Sequence, residues 1–257
     1  MKREAASAGS VGRARARRDA RGAARLLAVG DALSRQLAGL RFGPPVTHVY
    51  DPLAYAREGW RAYLERHGGG RSEVLLLGMN PGPFGMAQTG VPFGDVASVR
   101  GFLGVEAAIG RPAREHPRRP VKGFACARPE VSGRRFWALA AERFGSAEAF
   151  FARCLVWNYC PLLFLEASGR NRTPDRLPAA ERAELFAACD AALREAARAL
   201  CPRVVVGVGR FAEARARAAL AGLDVRVAAL PHPSPASPAA NRGWSAAARR
   251  ILDDLGC

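Results

Sequence analysis

Val74-Leu75-Leu76-Leu77-Gly78-Met79-Asn80-Pro81-Gly82-Pro83-Phe84-Gly85-Met86 decides how the chain folds. It opens as a short apolar run bounded by glycine, too short for a helix. That is the pattern of a strand buried on both faces of a parallel sheet. It then breaks into a loop stiffened by Pro81 and Pro83. Pro81 lacks an N–H and pushes Asn80 out of helical dihedrals. Gly82 lets a ligand approach the backbone. Asn80 therefore sits on a rigid loop at the carboxyl end of a core strand, where open α/β sheets bind ligands.

Working outward, three more runs read as strands: Cys154–Asn158, Val204–Val208 and Val225–Leu230. Between them lie segments of helical periodicity. Leu26, Val29, Leu33, Leu37 and Leu40 predict one helix, ending near Gly43-Pro44-Pro45. A second spans Pro52–His67, a third starts with Ser132 as its cap, and a long one, announced by Thr173-Pro174 and Pro178, runs to about Leu200. Others follow from Phe211 and from Ala239 to Leu255. Strands alternating with helices argue a parallel sheet covered on both faces. With right-handed crossovers, the strand-end loops open on one edge. Asn80, Asn158 and His232 then converge there.

Each of these has more than one reading. Asn158 carries an acceptor and two donors, which suits an imide or amide base edge, or a bond to a neighbouring loop. His232 is clamped between Pro231 and Pro233, as a surface residue or as a catalytic group. Phe93, between Pro92 and Gly94 on a constrained, exposed loop, packs on the core or stacks on a ligand. Gly207-Val208-Gly209 leads into a helix, a place where backbone N–H groups hold a phosphate.

The chain of 257 residues is 49% hydrophobic and carries a net charge of +16. The length suits one domain. The charge points to a polyanion such as nucleic acid, or to a compositional bias toward Arg. Residues 1–21 read as a disordered basic tail, attracting phosphate or merely solvated, and residues 22–257 as a single domain. The six cysteines form no C-x-x-C pair and no zinc-finger spacing with His. That reads as a reducing, cytosolic protein with no structural metal, cluster or cofactor. No apolar h-region or membrane-length run is present. Arg111, Arg114, Arg118, Arg119 and Lys122 are either a phosphate track or a solvated face.

Gly78-Met79-Asn80-Pro81-Gly82-Pro83-Phe84-Gly85-Met86-Ala87-Gln88-Thr89-Gly90-Val91-Pro92-Phe93-Gly94 resembles the first motif of single-strand-selective monofunctional uracil-DNA glycosylases. His232-Pro233-Ser234-Pro235 with Asn241-Arg242-Gly243-Trp244 resembles the second. Glu130-Val131-Ser132-Gly133, Cys160–Leu165 and Ser168-Gly169-Arg170-Asn171 are also similar. The resemblance runs from about Leu26 to Leu255. It implies the uracil-DNA glycosylase fold, a three-layer α/β/α sandwich around a four-stranded parallel sheet of order 2-1-3-4. It implies excision of uracil, and of 5-hydroxymethyluracil and related oxidised pyrimidines, from single- and double-stranded DNA by a monomer in the cytoplasm (nucleoid-associated) or nucleus.

Residue by residue, Asn80 matches the position that orients water and His232 the one that stabilises the departing base. Asn158 matches the reader of the uracil edge and Phe93 the stacking ring. Gly78 and Met79 match substrate-binding positions, with Gly82 and Met86 near uracil C5. Pro233, Ser234, Pro235, Ala236, Ser237, Arg242, Gly209 and Arg210 match DNA-contacting positions. Two departures stand out. The family has a basic residue where this chain has Ala236, and often His where it has Trp157. Two other readings stay open: a glycosylase for another deaminated base such as xanthine or hypoxanthine, and a non-catalytic module that binds damaged DNA.

Overall fold

A computed structural model of the chain describes residues 2–235 and 243–256, with side chains from residue 19 onward. Four strands form the central parallel sheet: β2 (Val74–Gly78), β3 (Cys154–Asn158), β6 (Val204–Val208) and β7 (Arg226–Leu230). Their order is β3-β2-β6-β7, which is the expected 2-1-3-4. Every residue of β2, β3 and β6 is buried, as uninterrupted apolar runs require. Of the two edge strands, β3 and β7, only β7 is partly uncovered.

Helices cover both faces of the sheet. One set, packed together, is α1 (Lys2–Leu37), α3 (Arg57–His67), α8 (Ala179–Leu200) and α9 (Arg210–Ala219). The other is α5 (Val96–Gly101), α6 (Val131–Phe144), α7 (Ala147–Phe151) and a closing helix, Trp244–Asp254. Short helices α2 (Pro52–Tyr55) and α4 (Met86–Thr89) lie in the connections.

Several boundaries differ from the reading of the sequence. Helix α1 is helical back to Lys2, across the stretch expected to be a disordered tail. That stretch has no proline and is rich in Ala and Arg, both strong helix formers. From Ala23 onward, Ala23, Leu26, Leu33 and Leu37 turn one face of α1 into the core. The helix stops at Leu37, before the prolines. The expected helix Pro52–His67 is broken at Ala56, which ends α2 and begins α3. The cap of α6 is Glu130 rather than Ser132, and α8 starts only at Ala179, after the turn Pro174–Arg176. The expected start of the closing helix at Ala239 lies outside the described residues.

A second sheet has no counterpart in the sequence reading. β1 (Val46–Tyr50), β4 (Leu163–Glu166) and β5 (Asn171–Arg172) pair antiparallel. It matters because β5 brings Asn171 against the Asn80 loop.

Candidate active site

The loops after β2 and β7 and the last residue of β3 meet on one edge and line a cavity of about 380 Å³. Met79, Asn80, Gly82, Met86, Phe93, Asn158, His232 and Ser234 all line it. The convergence expected from strand-end position is thus realised. Backbone bonds from Tyr159 N to Gly78 O and from Cys160 N to Met79 O, each 2.9 Å, continue the ladder past the strand ends. They fix the two Asn-bearing loops relative to each other.

Asn80 donates from Nδ2 to the Leu162 carbonyl at 3.2 Å. With that amide group engaged, Oδ1 is the atom left to take a hydrogen bond from water. The next carbonyl, Pro81 O, accepts from Asn171 Nδ2 at 3.3 Å. Gln88 Nε2 donates to Pro83 O at 2.9 Å. The loop is therefore held by its own prolines and by side chains from two other places in the chain.

Asn158 lies directly across from Gly78 in the parallel register. A β-carbon at Gly78 would overlap Asn158 Oδ1 and approach Phe93 Cε2 to 3.0 Å. Glycine is what lets the amide and the ring share the slot floor. Asn158 Nδ2 meets Met86 Sδ at 3.2 Å. A thioether is a weak acceptor, so this donor is readily taken over by a carbonyl.

Phe93 is not exposed; only 9% of it is accessible. One face stacks on Phe136, with ring centres 4.6 Å apart and planes at 8°. The residue also lines the cavity, so one ring both packs on the core and forms part of the slot wall. Its backbone has φ 52°, uncommon for a side-chain-bearing residue, and Trp137 Nε1 anchors its carbonyl at 3.0 Å.

His232 is held on every side. The Ser234 N–H donates to Nδ1 at 3.1 Å. A backbone N–H only donates, so Nδ1 carries no proton and the neutral ring presents Nε2–H. Burial lowers the pKa of the imidazole, which keeps it neutral. Trp244 Nε1 donates to Pro231 O at 2.7 Å and Arg135 Nη1 to Pro233 O at 2.9 Å. Gly209, at φ 93°, leaves room for the ring: a β-carbon there would come within 3.3 Å of His232 Cβ.

The remaining expected DNA contacts divide three ways. Pro233 and Pro235 stand in the His232 loop, and Arg210 is exposed at the start of α9. Ala236, Ser237 and Arg242 lie outside the described residues. Five wall residues carried no assigned role from sequence: Pro83, Glu130, Ser132, Asn171 and Thr173. Glu130 and Asn171 belong to stretches singled out above only by similarity. The Glu130 carboxylate accepts from Ser132 N at 3.1 Å and Gly133 N at 2.7 Å, and burial raises its pKa. Asn171 Oδ1 is buried and makes no hydrogen bond.

The profile of the Uracil DNA glycosylase superfamily matches residues 66–256. The chain belongs to that superfamily. It is 54% identical over 226 residues to the single-strand selective monofunctional uracil-DNA glycosylase of Rattus norvegicus, covering 87% of this chain and 81% of that protein. The Bos taurus protein of the same name is 53% identical over the same length, with 83% of it covered. A crystal structure of Pedobacter heparinus SMUG2 superposes with a TM-score of 0.60 at 19% identity, over 88% of this chain and 94% of that one. That likeness concerns the fold.

Within this superfamily member, the departure at Trp157 is structural. The indole is buried and meets Trp60 edge-on, with ring centres 5.0 Å apart. It fills core beneath the slot. No lysine is among the described residues that line the cavity.

Proposed function

We propose that this chain is a monofunctional DNA glycosylase that hydrolyses the N-glycosidic bond of uracil in DNA and leaves an abasic site. The observation that carries the reading is the neutral His232 with Nε2–H, set in one cavity with Asn80 and Asn158. Hydrolysis at C1′ needs a water and a stabilised leaving base. Asn80 is no strong base; its Oδ1 orients water. The bond must then be largely broken before water adds, and charge builds on the base. His232 donates to uracil O2, in the manner of an oxyanion hole. A neutral donor fits this task because it needs no proton transfer at neutral pH.

Asn158 accepts from uracil N3–H and donates to O4, a pattern that cytosine reverses. Phe93 supplies the stacking face. The base has to leave the helix to enter the slot, which costs least in single strands. Gly82 and Met86, in the cavity wall at the positions that match those near uracil C5, extend the range to 5-hydroxymethyluracil and related oxidised pyrimidines. With no lysine among the described residues that line the cavity to form a Schiff base, strand cleavage does not follow excision.

The test uses purified protein and a labelled single-stranded oligonucleotide carrying one uracil. Cleavage is expected only after alkali. Cleavage without alkali, nuclease excluded, would point to a lyase and overturn the mechanism. No cleavage would turn attention to xanthine and hypoxanthine, or to a module that binds without hydrolysis.

A further inference from the structure

Next to the cavity, on the same loop as Asn80, the Phe84 ring is flanked by two guanidinium groups. Arg128 Cζ lies 4.1 Å and Arg119 Cζ 5.3 Å from its centre. Phe84 follows Pro83, a wall residue of the cavity. Arg118 and Lys122 are exposed close by in sequence. Among the described residues, none of these four cations forms an ion pair, whereas Arg57, Arg61, Arg100 and Arg215 all do. The Arg119 Nε is buried with no hydrogen-bond partner.

The segment that carries these charges has almost no regular secondary structure, yet it is firmly tied down. Gln88, 1% exposed, donates to Pro83 O at 2.9 Å and Pro120 O at 3.1 Å and accepts from Lys122 N at 2.7 Å. Tyr50 donates its hydroxyl to Arg119 O at 2.9 Å and accepts from His116 N at 2.6 Å. Glu115 accepts from Val121 N at 2.7 Å. A merely solvated loop does not require buried Gln and Tyr side chains and a half-buried Glu to hold its backbone against the Asn80 loop. A surface that must present charge at a set distance from the cavity does.

We propose that Arg118, Arg119, Lys122 and Arg128 form a phosphate track for the DNA strand that runs over the Asn80 side of the cavity, with Phe84 pre-setting Arg119 and Arg128. The inference rests on DNA being the substrate. Phosphate oxygens are met by guanidinium donors, and the ring face orients those donors before the strand arrives. The track reads no sequence; it positions the strand.

The test measures binding of the full chain to a labelled single-stranded oligonucleotide carrying one tetrahydrofuran abasic analogue, across a salt series. Each phosphate contact contributes a slope of about −0.7 in log K against log salt for a single strand, equivalent to about fivefold in affinity at 0.1 M. Arg119→Ala with Arg128→Ala should make the slope shallower by about 1.4 and weaken binding about 25-fold. Arg128→Ala alone, on an exposed side chain, keeps the test decisive if the double variant disturbs the loop. Arg226→Ala, the same single loss of charge as Arg128→Ala but at the opposite end of the sheet, should change neither slope nor affinity. A parental slope in the Arg119 and Arg128 variants, or an equal loss in Arg226→Ala, would overturn the track. The oligonucleotide has no base to remove, so absence of uracil excision would leave this comparison intact.

Discussion

Gly78→Ala should disable the base slot without unfolding the protein. The added methyl would overlap Asn158 Oδ1 and stand 3.0 Å from Phe93 Cε2 and 3.3 Å from Phe93 Cζ. Both neighbours are side chains, so they shift before the backbone does. Phe93 has little freedom, being stacked on Phe136 and tied through its carbonyl to Trp137. Asn158 therefore rotates and gives up its two-point fit to the uracil edge. A bidentate base contact is worth about 1–3 kcal/mol, so kcat/KM on uracil should fall roughly 5- to 150-fold. Overpacking by one methyl costs about 1–3 kcal/mol of stability, less than the typical 5–15 kcal/mol reserve. The assay is single-turnover excision from a uracil oligonucleotide, beside binding to an abasic product and a melting curve. Excision should fall while abasic binding holds within a few-fold, since no base fills the slot. Wild-type excision by a folded Gly78→Ala protein would refute the placement of Asn158 as the reader of the base.

Four further outcomes follow from the same geometry. Asn80→Ala should lose about 10²–10³ in single-turnover rate while still binding uracil-containing DNA, and near-normal turnover would remove Asn80 from the chemistry. Asn158→Asp should lower the rate on uracil and admit cytosine, read as the ratio of the two excision rates; an unchanged ratio would count against edge reading. Arg135→Ala frees the Pro233 carbonyl beside His232 and should lower kcat about tenfold with little change in KM, partly restored in Arg135→Lys. An unaltered kcat there would mean that the clamp does not position the imidazole. For pH, burial pushes the His67 pKa down to about 4 and lowers that of His232. Unfolding lets both take up protons, so stability is intact above about 6.5 and is lost as pH falls toward 4, with His67 contributing about 3 kcal/mol. Denaturant melts at pH 7 and pH 4.5 check this: His67→Gln should flatten the loss, and an equal loss in that variant would exclude His67 as its source.

The central sheet was legible because three of its strands are buried on both faces and carry uninterrupted apolar runs, as in Val74–Leu77 and Val204–Val206. Asn80, Asn158 and His232 were legible because each ends or closely follows a strand, so that topology places it. The small antiparallel sheet was not. β1 follows Pro45 directly and mixes buried and exposed positions, and β5 is two residues long. Neither is long enough to show a period. The helical state of the N-terminal arm was obscured because basic composition and helix propensity point in opposite directions there. Glu130 was missed as a cap because glutamate is an uncommon one, and Ser132 stood nearby as a usual choice. Asn171, Arg135 and Trp244 act on carbonyls of distant loops, and no local pattern in the chain announces such a contact.

Those distant donors explain how proline-rich loops come to hold a site. Proline removes backbone donors and restricts φ, but its carbonyl still needs a partner. Here Pro81 O is met by Asn171, Pro83 O by Gln88, Pro231 O by Trp244 and Pro233 O by Arg135. Asn80 precedes the first of these prolines and His232 stands between the last two. Asn80 and His232, the proposed catalytic side chains, thus each sit beside a carbonyl pinned by a side chain from another element. That is the arrangement a leaving-group-driven reaction calls for. With no strong base to deprotonate water, rate acceleration has to come from donors already aimed where charge develops, which favours a site that does not reorganise during the reaction. Preorganisation here is a tertiary property, carried by side-chain donors from other parts of the chain.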